Sequence, residues 1–234
     1  MKKIGMRKSE NENVVAFTLI ELLVVISVIA VLAAFTIPVL KGVKRNQYLK
    51  QTQAQMAQLE TAIESYKAAY GFYPPSAFDP LKNQLYYELT GTTNVSPNNP
   101  TFASLDNPDL PYLTAAMIST AFGGGVSGFI NCNKPGSSED TTSAKDFLTD
   151  LNSNQIHQNY TNNGVPITLL IGSAGGPDLA YQPLGVPGVN PWRYRYPGTN
   201  NPTSYDLWMQ LRIAGTTNLI CNWTKQVEIN SPLP

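Results

Sequence analysis

The sequence predicts an α+β protein with one long N-terminal helix and a small C-terminal antiparallel sheet. Three observations predict this class. An apolar run extends from Leu19 to Leu40, a one-sided helical pattern continues from there to Tyr70, and residues of alternating character begin at Trp192. Helical periodicity in the first two segments and a period of two in the third favour helix and strand respectively.

The apolar run has the length of a membrane span. Of its 22 positions, only Glu21, Ser27 and Thr36 carry polar side chains. A helix of that length covers roughly 33 Å, and a hydrocarbon core is about 30 Å thick. A carboxylate inside such a run is costly, so Glu21 is a candidate functional residue. Pro38 lacks an N–H and clashes with the preceding turn, which predicts a kink there.

The second half of the predicted helix is amphipathic. Apolar or weakly polar residues recur at spacings of three and four, namely Leu49, Thr52, Met56, Leu59, Ile63, Tyr66 and Tyr70. Charged and amide side chains occupy the opposite face, namely Lys50, Gln51, Gln55, Gln58, Glu60, Glu64 and Lys67. Such a stripe predicts packing against a globular head, with a free coiled coil as the alternative. Gly71 and the Pro74-Pro75 pair end the helix.

The remaining chain predicts short elements. Residues 81–89, 114–122 and 144–151 are interpreted as short helices, residues 165–171 as a strand, and residues 91–111 as loop. In the tail, residues 192–196, 205–213 and 218–223 predict three strands. The first of these places Trp192, Tyr194 and Tyr196 on one face and Arg193 and Arg195 on the other.

Composition argues against several function classes. Lys plus Arg and Asp plus Glu number 16 each, so no basic excess points to nucleic acid. His157 is the only histidine and lies in a polar stretch, which disfavours a His-rich metal site or a His-dependent catalytic triad. Aspartates occur singly among turn residues, where they form local hydrogen bonds. We therefore predict no catalytic site and no enzyme, with a membrane-anchored periplasmic enzyme or binding protein as the alternative of another class.

The N-terminal junction carries a family resemblance. A leader with a surplus of two positive charges precedes Ala16-Phe17-Thr18-Leu19-Ile20-Glu21. This stretch resembles the cleavage and methylation site of type IV pilins and type II secretion pseudopilins. The resemblance implies that a prepilin peptidase cuts between Ala16 and Phe17 and methylates the new amine of Phe17. Glu21 and Pro38 then fall where the family has its Glu and its helix-perturbing Pro, whereas Ala16 replaces the family's usual Gly.

The same resemblance implies a domain organisation. Residues 1–16 are a prepilin leader, residues 17–40 a transmembrane and assembly helix, and residues 41–234 a periplasmic pilin-like head. The middle of the head, about 91–185, is longer than the family pattern and is interpreted as an enlarged loop region. Two alternatives for the N-terminus are signal-peptidase cleavage after Ala33 or Ala34, and an uncleaved signal anchor.

Motifs in the head resemble one subfamily. Gly71-Phe72-Tyr73-Pro74 follows the long helix, and Tyr205-Asp206-Leu207 follows the strand that begins at Trp192. Both resemble the major (G-type) pseudopilin of type II secretion. This implies a structural subunit that polymerises through its N-terminal helix to drive protein export, with a type IV pilin for adhesion, motility or DNA uptake as the alternative.

The subfamily also implies partners and a location. The partners would be other copies of the chain in a helical homopolymer, minor pseudopilins, the prepilin peptidase, the inner-membrane secretion platform and membrane lipid, but not nucleic acid. The chain would cross the inner membrane once and place its head in the periplasm. Glu21 would pair with the amine of Phe17, within hydrocarbon that favours such a pair, and thereby guide each subunit into register.

One departure from the subfamily concerns its calcium site. The family places acidic ligands after Tyr-Asp-Leu, but residues 212–222 contain no Asp or Glu. Calcium prefers several oxygen ligands that include carboxylates, so no calcium and no other cofactor is expected. Cys132 and Cys221 are the only cysteines. A disulfide between them is an open alternative to that calcium lock in an oxidising compartment.

Overall fold

The computed structural model describes residues 18–96, 98–123, 125–134, 143–174 and 178–231, without the side chains of residues 35–42. The chain divides into two compact units, Met1–Arg45 and Asn46–Pro234. It belongs to the α+β class, as the sequence predicts, and combines helices with mainly antiparallel sheets.

The first helix, α1, extends from Leu19 to Tyr70. It ends where the sequence places its stop signals, because Gly71 adopts a positive φ of 84° and its N–H donates to the carbonyl of Lys67. Pro38 lies within these bounds, and the kink expected there stays a prediction. In the second unit, the predicted stripe of α1 is buried at Leu59, Ile63 and Tyr66.

In the described part of the chain, two further α-helices follow, α2 at Leu85–Thr90 and α3 at Ala115–Phe122. The predicted helix at 81–89 is thus shorter, with a 3-10 turn at Pro80–Lys82 before it. The predicted helix at 114–122 is confirmed. Thr114 caps it, since its hydroxyl accepts a hydrogen bond from the N–H of Met117, and Gly123 ends it.

Among the described residues, ten strands form three sheets. The first contains β1 (Thr92–Asn94), β2 (Thr101–Ser104), β3 (Leu113–Thr114) and β4 (Cys132–Asn133) in the order β3-β2-β1-β4, with only β1 and β4 parallel. The second is the antiparallel hairpin of β5 (Ile156–Asn162) and β6 (Val165–Leu170). The third is antiparallel in the order β10-β9-β8-β7, from β7 (Arg193–Arg195), β8 (Asp206–Ile213), β9 (Thr216–Cys221) and β10 (Glu228–Ile229).

A large hydrophobic core joins α1, β6 and the C-terminal region of the second unit. It contains Ile63 and Tyr66 of α1, Ile167 of β6 and Trp192 and Leu207 of the C-terminal region, all of them buried. The middle region, read from the sequence as an enlarged loop, therefore contributes to the same core as α1 and the C-terminal sheet. The predicted strands at 165–171, 205–213 and 218–223 match β6, β8 and β9 to within about two residues.

Two predictions for the middle of the chain are wrong. Residues 144–151 are not helical, because their amide groups bond elsewhere: Lys145 N–H donates to Asn131 Oδ1, Phe147 N–H to the carbonyl of Leu89, and Leu148 N–H to Asp146 Oδ1. Residues 91–111 are not all loop, since they contain the β1–β2 pair.

Two side chains placed on polar faces by periodicity are buried. Gln55 of α1 is buried, and its amide donates to the carbonyl of Ile171 at 2.8 Å and accepts from the N–H of Ser173 at 2.7 Å. These two hydrogen bonds offset the cost of burying the amide. Arg193 of β7 is buried beside Tyr181, to whose hydroxyl it donates at 2.8 Å. The prediction of an exposed basic face on β7 is therefore wrong at Arg193, because the loop that contains Tyr181 covers this side chain.

Candidate functional site

The candidate site is the N-terminal segment of α1. Ala16 and Phe17, the predicted cleavage and methylation residues, lie outside the described residues. Glu21 and the apolar side chains as far as Leu32 are described and exposed. The large apolar residues between Leu19 and Leu32 have exposed fractions of 48% to 81%. Every face of this segment is therefore uncovered and apolar, apart from Glu21 and Ser27.

Glu21 forms a capping box with Thr18. The N–H and hydroxyl of Thr18 donate to Glu21 Oε2 at 2.8 and 2.7 Å, and the N–H of Glu21 donates to Thr18 Oγ1 at 3.3 Å. The carboxylate thus satisfies a backbone group at the start of α1. The sequence prediction for Glu21 did not include this cap, although the Thr-x-x-Glu spacing is the sequence signal for it.

The structure leaves the membrane prediction open. Within the part of the chain that the structure describes, no helix combines the length and apolarity needed to span a membrane. The last predicted transmembrane positions, 35–40, have side chains outside the description.

The second unit contains a buried carboxylate that the sequence analysis missed. Glu88 of α2 is fully buried and accepts three hydrogen bonds. Its Oε1 accepts from the N–H of Ile130 at 3.1 Å, and its Oε2 accepts from the Tyr66 hydroxyl at 2.9 Å and the Asn131 N–H at 3.1 Å. It therefore connects α1 and α2 to the segment that precedes β4.

Asn131 extends this network. Its Nδ2 donates to the carbonyls of Glu88 and Lys145 at 2.8 and 2.6 Å, and its Oδ1 accepts from the Tyr70 hydroxyl at 2.7 Å and the Lys145 N–H at 2.8 Å. All four hydrogen-bonding positions of the amide are used. The periodicity of α2 contains no signal for this network, because its partners are 22 to 43 residues from Glu88 in sequence.

The ionisation of Glu88 predicts that the free energy of unfolding depends on pH. Burial raises the pKa of its carboxyl, opposed by the hydrogen bonds from Ile130, Asn131 and Tyr66. Because the folded pKa lies above the ordinary value of 4.5, the stabilisation from this shift is fully present below pH 4.5 and is lost as pH rises through the folded pKa. We expect the free energy of unfolding of the wild type, minus that of Glu88→Gln, to fall as pH rises through this window. Urea titrations followed by tryptophan fluorescence measure it, and a difference that stays constant or grows with pH contradicts the assignment.

Asp206 of the Tyr-Asp-Leu motif is a second buried carboxylate. Its Oδ2 accepts from the N–H groups of Thr199 and Asn200 at 2.7 and 2.8 Å, and its Oδ1 accepts from the N–H of Asn201 at 2.9 Å. The loop approaches so closely that a Cβ on Gly198 would lie 2.6 Å from Asp206 Oδ1. Asp206 thus holds the loop between β7 and β8 through backbone donors.

The expected absence of calcium stays a prediction. Among the described residues, no three or more His, Cys, Asp or Glu side chains are grouped so as to hold a metal ion. Cys132 and Cys221 are buried free thiols in β4 and β9, so the disulfide that the sequence left open is not formed in the structure. Burial raises the pKa of both thiols, which favours the unreactive protonated form.

Comparison with protein-family models, with curated proteins and with solved structures found no match to this chain.

Proposed function

We propose that this chain is a structural subunit of a type II secretion pseudopilus. In this proposal, prepilin peptidase cuts between Ala16 and Phe17 and methylates Phe17, and α1 then anchors the subunit in the inner membrane and polymerises with other copies. The head, a pilin-like arrangement of the second half of α1 with the sheets, lies in the periplasm. Minor pseudopilins and the inner-membrane secretion platform are the further partners, and export of proteins is driven by growth of the filament.

The observation that carries the proposal is the uncovered apolar segment of α1 with its one carboxylate. Contiguous apolar surface on this scale marks a binding or membrane site, because water does not solvate it favourably. A helix that is apolar on all faces needs lipid or other apolar helices around it. Both surroundings occur for a subunit that is first stored in a membrane and then assembled. Glu21, at the start of this segment, offers a charge whose partner can be an amine at Phe17.

Mass spectrometry of the mature N-terminus tests the proposal. The chain is produced together with a prepilin peptidase, purified from membranes and digested. We expect the first peptide to begin with N-methylated Phe17, because only cleavage at the Ala16–Phe17 bond creates that amine. A parallel Glu21→Ala sample is expected to give the same N-terminal peptide, because Glu21 is assigned to assembly and not to cleavage. An intact Met1, or a first residue after Ala33 or Ala34, contradicts the filament model.

A further inference from the structure

A cavity among the described residues lies beside the second half of α1. It has a volume of about 700 Å³ and is open to solvent. This is within the usual size range of small-molecule sites, roughly 300 to 1,000 Å³. Nine described residues line it, and all are Gln, Asn, Ser or Ala. The described lining therefore contains no charged group and no aromatic ring.

The floor of this cavity, hereafter the amide groove, is held in place by amide–amide contacts. Gln155 Nε2 donates to Gln58 Oε1 at 2.9 Å, and Gln155 Oε1 accepts from the N–H of Asn152 at 2.8 Å. Gln55 is bonded on both sides, to the carbonyl of Ile171 and the N–H of Ser173. These contacts join α1 to the 3-10 turn at Ser153–Gln155 and order the groove before any ligand arrives.

The rim of the amide groove carries groups that are open to a ligand. The side chains of Gln51, Ser153 and Asn154 line the cavity and have no hydrogen-bond partner among the described residues. Two amides and one hydroxyl provide both donors and acceptors. Unlike the floor groups, they are available without breaking a contact of the fold.

The lining selects a chemical class. A phosphate or carboxylate ligand needs a cationic side chain, and a cationic ligand needs a carboxylate; the described lining contains neither. A lipid needs apolar walls, and Ala54 is the one apolar residue of the described lining. A ligand rich in hydroxyl groups fits, because each hydroxyl both donates and accepts and carries no charge. We propose that the amide groove binds a neutral carbohydrate. This inference concerns the second unit alone and does not rest on the filament proposal.

Ligand-observed saturation-transfer NMR on the full chain tests the inference. The chain is kept in lauryldimethylamine oxide, since a maltoside detergent would itself present sugar. The probes are maltotriose, cellotriose and N-acetylated chitotriose, with trigalacturonic acid and a capped triglycine as the charged and the peptide comparison. We expect at least one neutral trisaccharide to bind with a Kd on the order of 1 mM, because the open groove offers hydrogen bonds but no stacking ring.

A double variant locates the binding. Gln51→Leu with Asn154→Leu removes two open rim amides and leaves no buried partner unsatisfied, so the fold is retained and binding weakens about tenfold. Gln53→Leu is the matched control, because Gln53 is on the same helix but lines a different cavity. The inference is overturned if no neutral trisaccharide binds, if trigalacturonic acid or triglycine binds as tightly, or if the double variant binds like the wild type.

Discussion

Replacing Glu21 by alanine is expected to reduce the yield of filaments at least roughly tenfold, because an apolar segment then has no charge to pair with the amine of an incoming subunit. The measurement is the amount of sheared filament per cell, normalised to the total amount of the chain. Electron microscopy of the sheared fraction verifies that the material is filamentous. Assembly at the wild-type level in Glu21→Ala contradicts the assigned role.

The capping box of Glu21 offers a second explanation that variants separate. Glu21→Gln keeps an oxygen that can accept from the Thr18 N–H but carries no charge. Thr18→Val keeps the charge and removes the hydroxyl that donates to Glu21 at 2.7 Å. If charge pairing drives assembly, Glu21→Gln fails like Glu21→Ala and Thr18→Val assembles. If the cap drives assembly, Thr18→Val fails and Glu21→Gln assembles, since loss of a cap costs about 1 kcal/mol of helix stability.

Glu88→Ala is expected to lower the free energy of unfolding of the second unit by about 3–5 kcal/mol. The variant leaves the N–H groups of Ile130 and Asn131 and the hydroxyl of Tyr66 without their acceptor in a buried place. A vacated side-chain volume adds to the loss. Urea unfolding followed by tryptophan fluorescence measures it, because Trp192 and Trp208 are buried in the second unit and become solvated on unfolding.

Tyr66→Phe is the matched control for Glu88→Ala. It removes one donor to Glu88 and keeps the ring of Tyr66 against Tyr70, at a centroid distance of 4.7 Å. Two backbone donors remain on Glu88, so the expected loss is about 1–2 kcal/mol. Equal losses for the two variants would show that the single hydrogen bond from Tyr66, and not the two backbone hydrogen bonds to Glu88, accounts for the whole effect.

Local signals predicted the helices of this chain well where they were strong. The end of α1 at Tyr70 follows from Gly71, and the predicted helix at 114–122 matches α3, whose cap Thr114 the structure then showed. Both signals act within one helical turn, so they operate in any tertiary context. The predicted helix at 144–151 does not form, because the N–H groups of Lys145 and Phe147 donate to Asn131 and Leu89 instead.

The sequence by itself determined the class of the protein, the bounds of α3, the C-terminal end of α1 and the candidate site at its N-terminus. Each rests on spacing within a few residues, which periodicity and caps record directly.

Only the tertiary structure decided that Gln55, Glu88 and Asp206 are buried and that Gln55, Gln58 and Gln155 form the floor of the amide groove. The burial of Gln55 and Glu88, and the groove floor, depend on partners more than 20 residues away. Asp206 bonds a loop only 5 to 7 residues before it, but the chain must reverse between β7 and β8 to bring that loop to its carboxylate. A polar residue is exposed by default and is buried only when the fold supplies its hydrogen bonds.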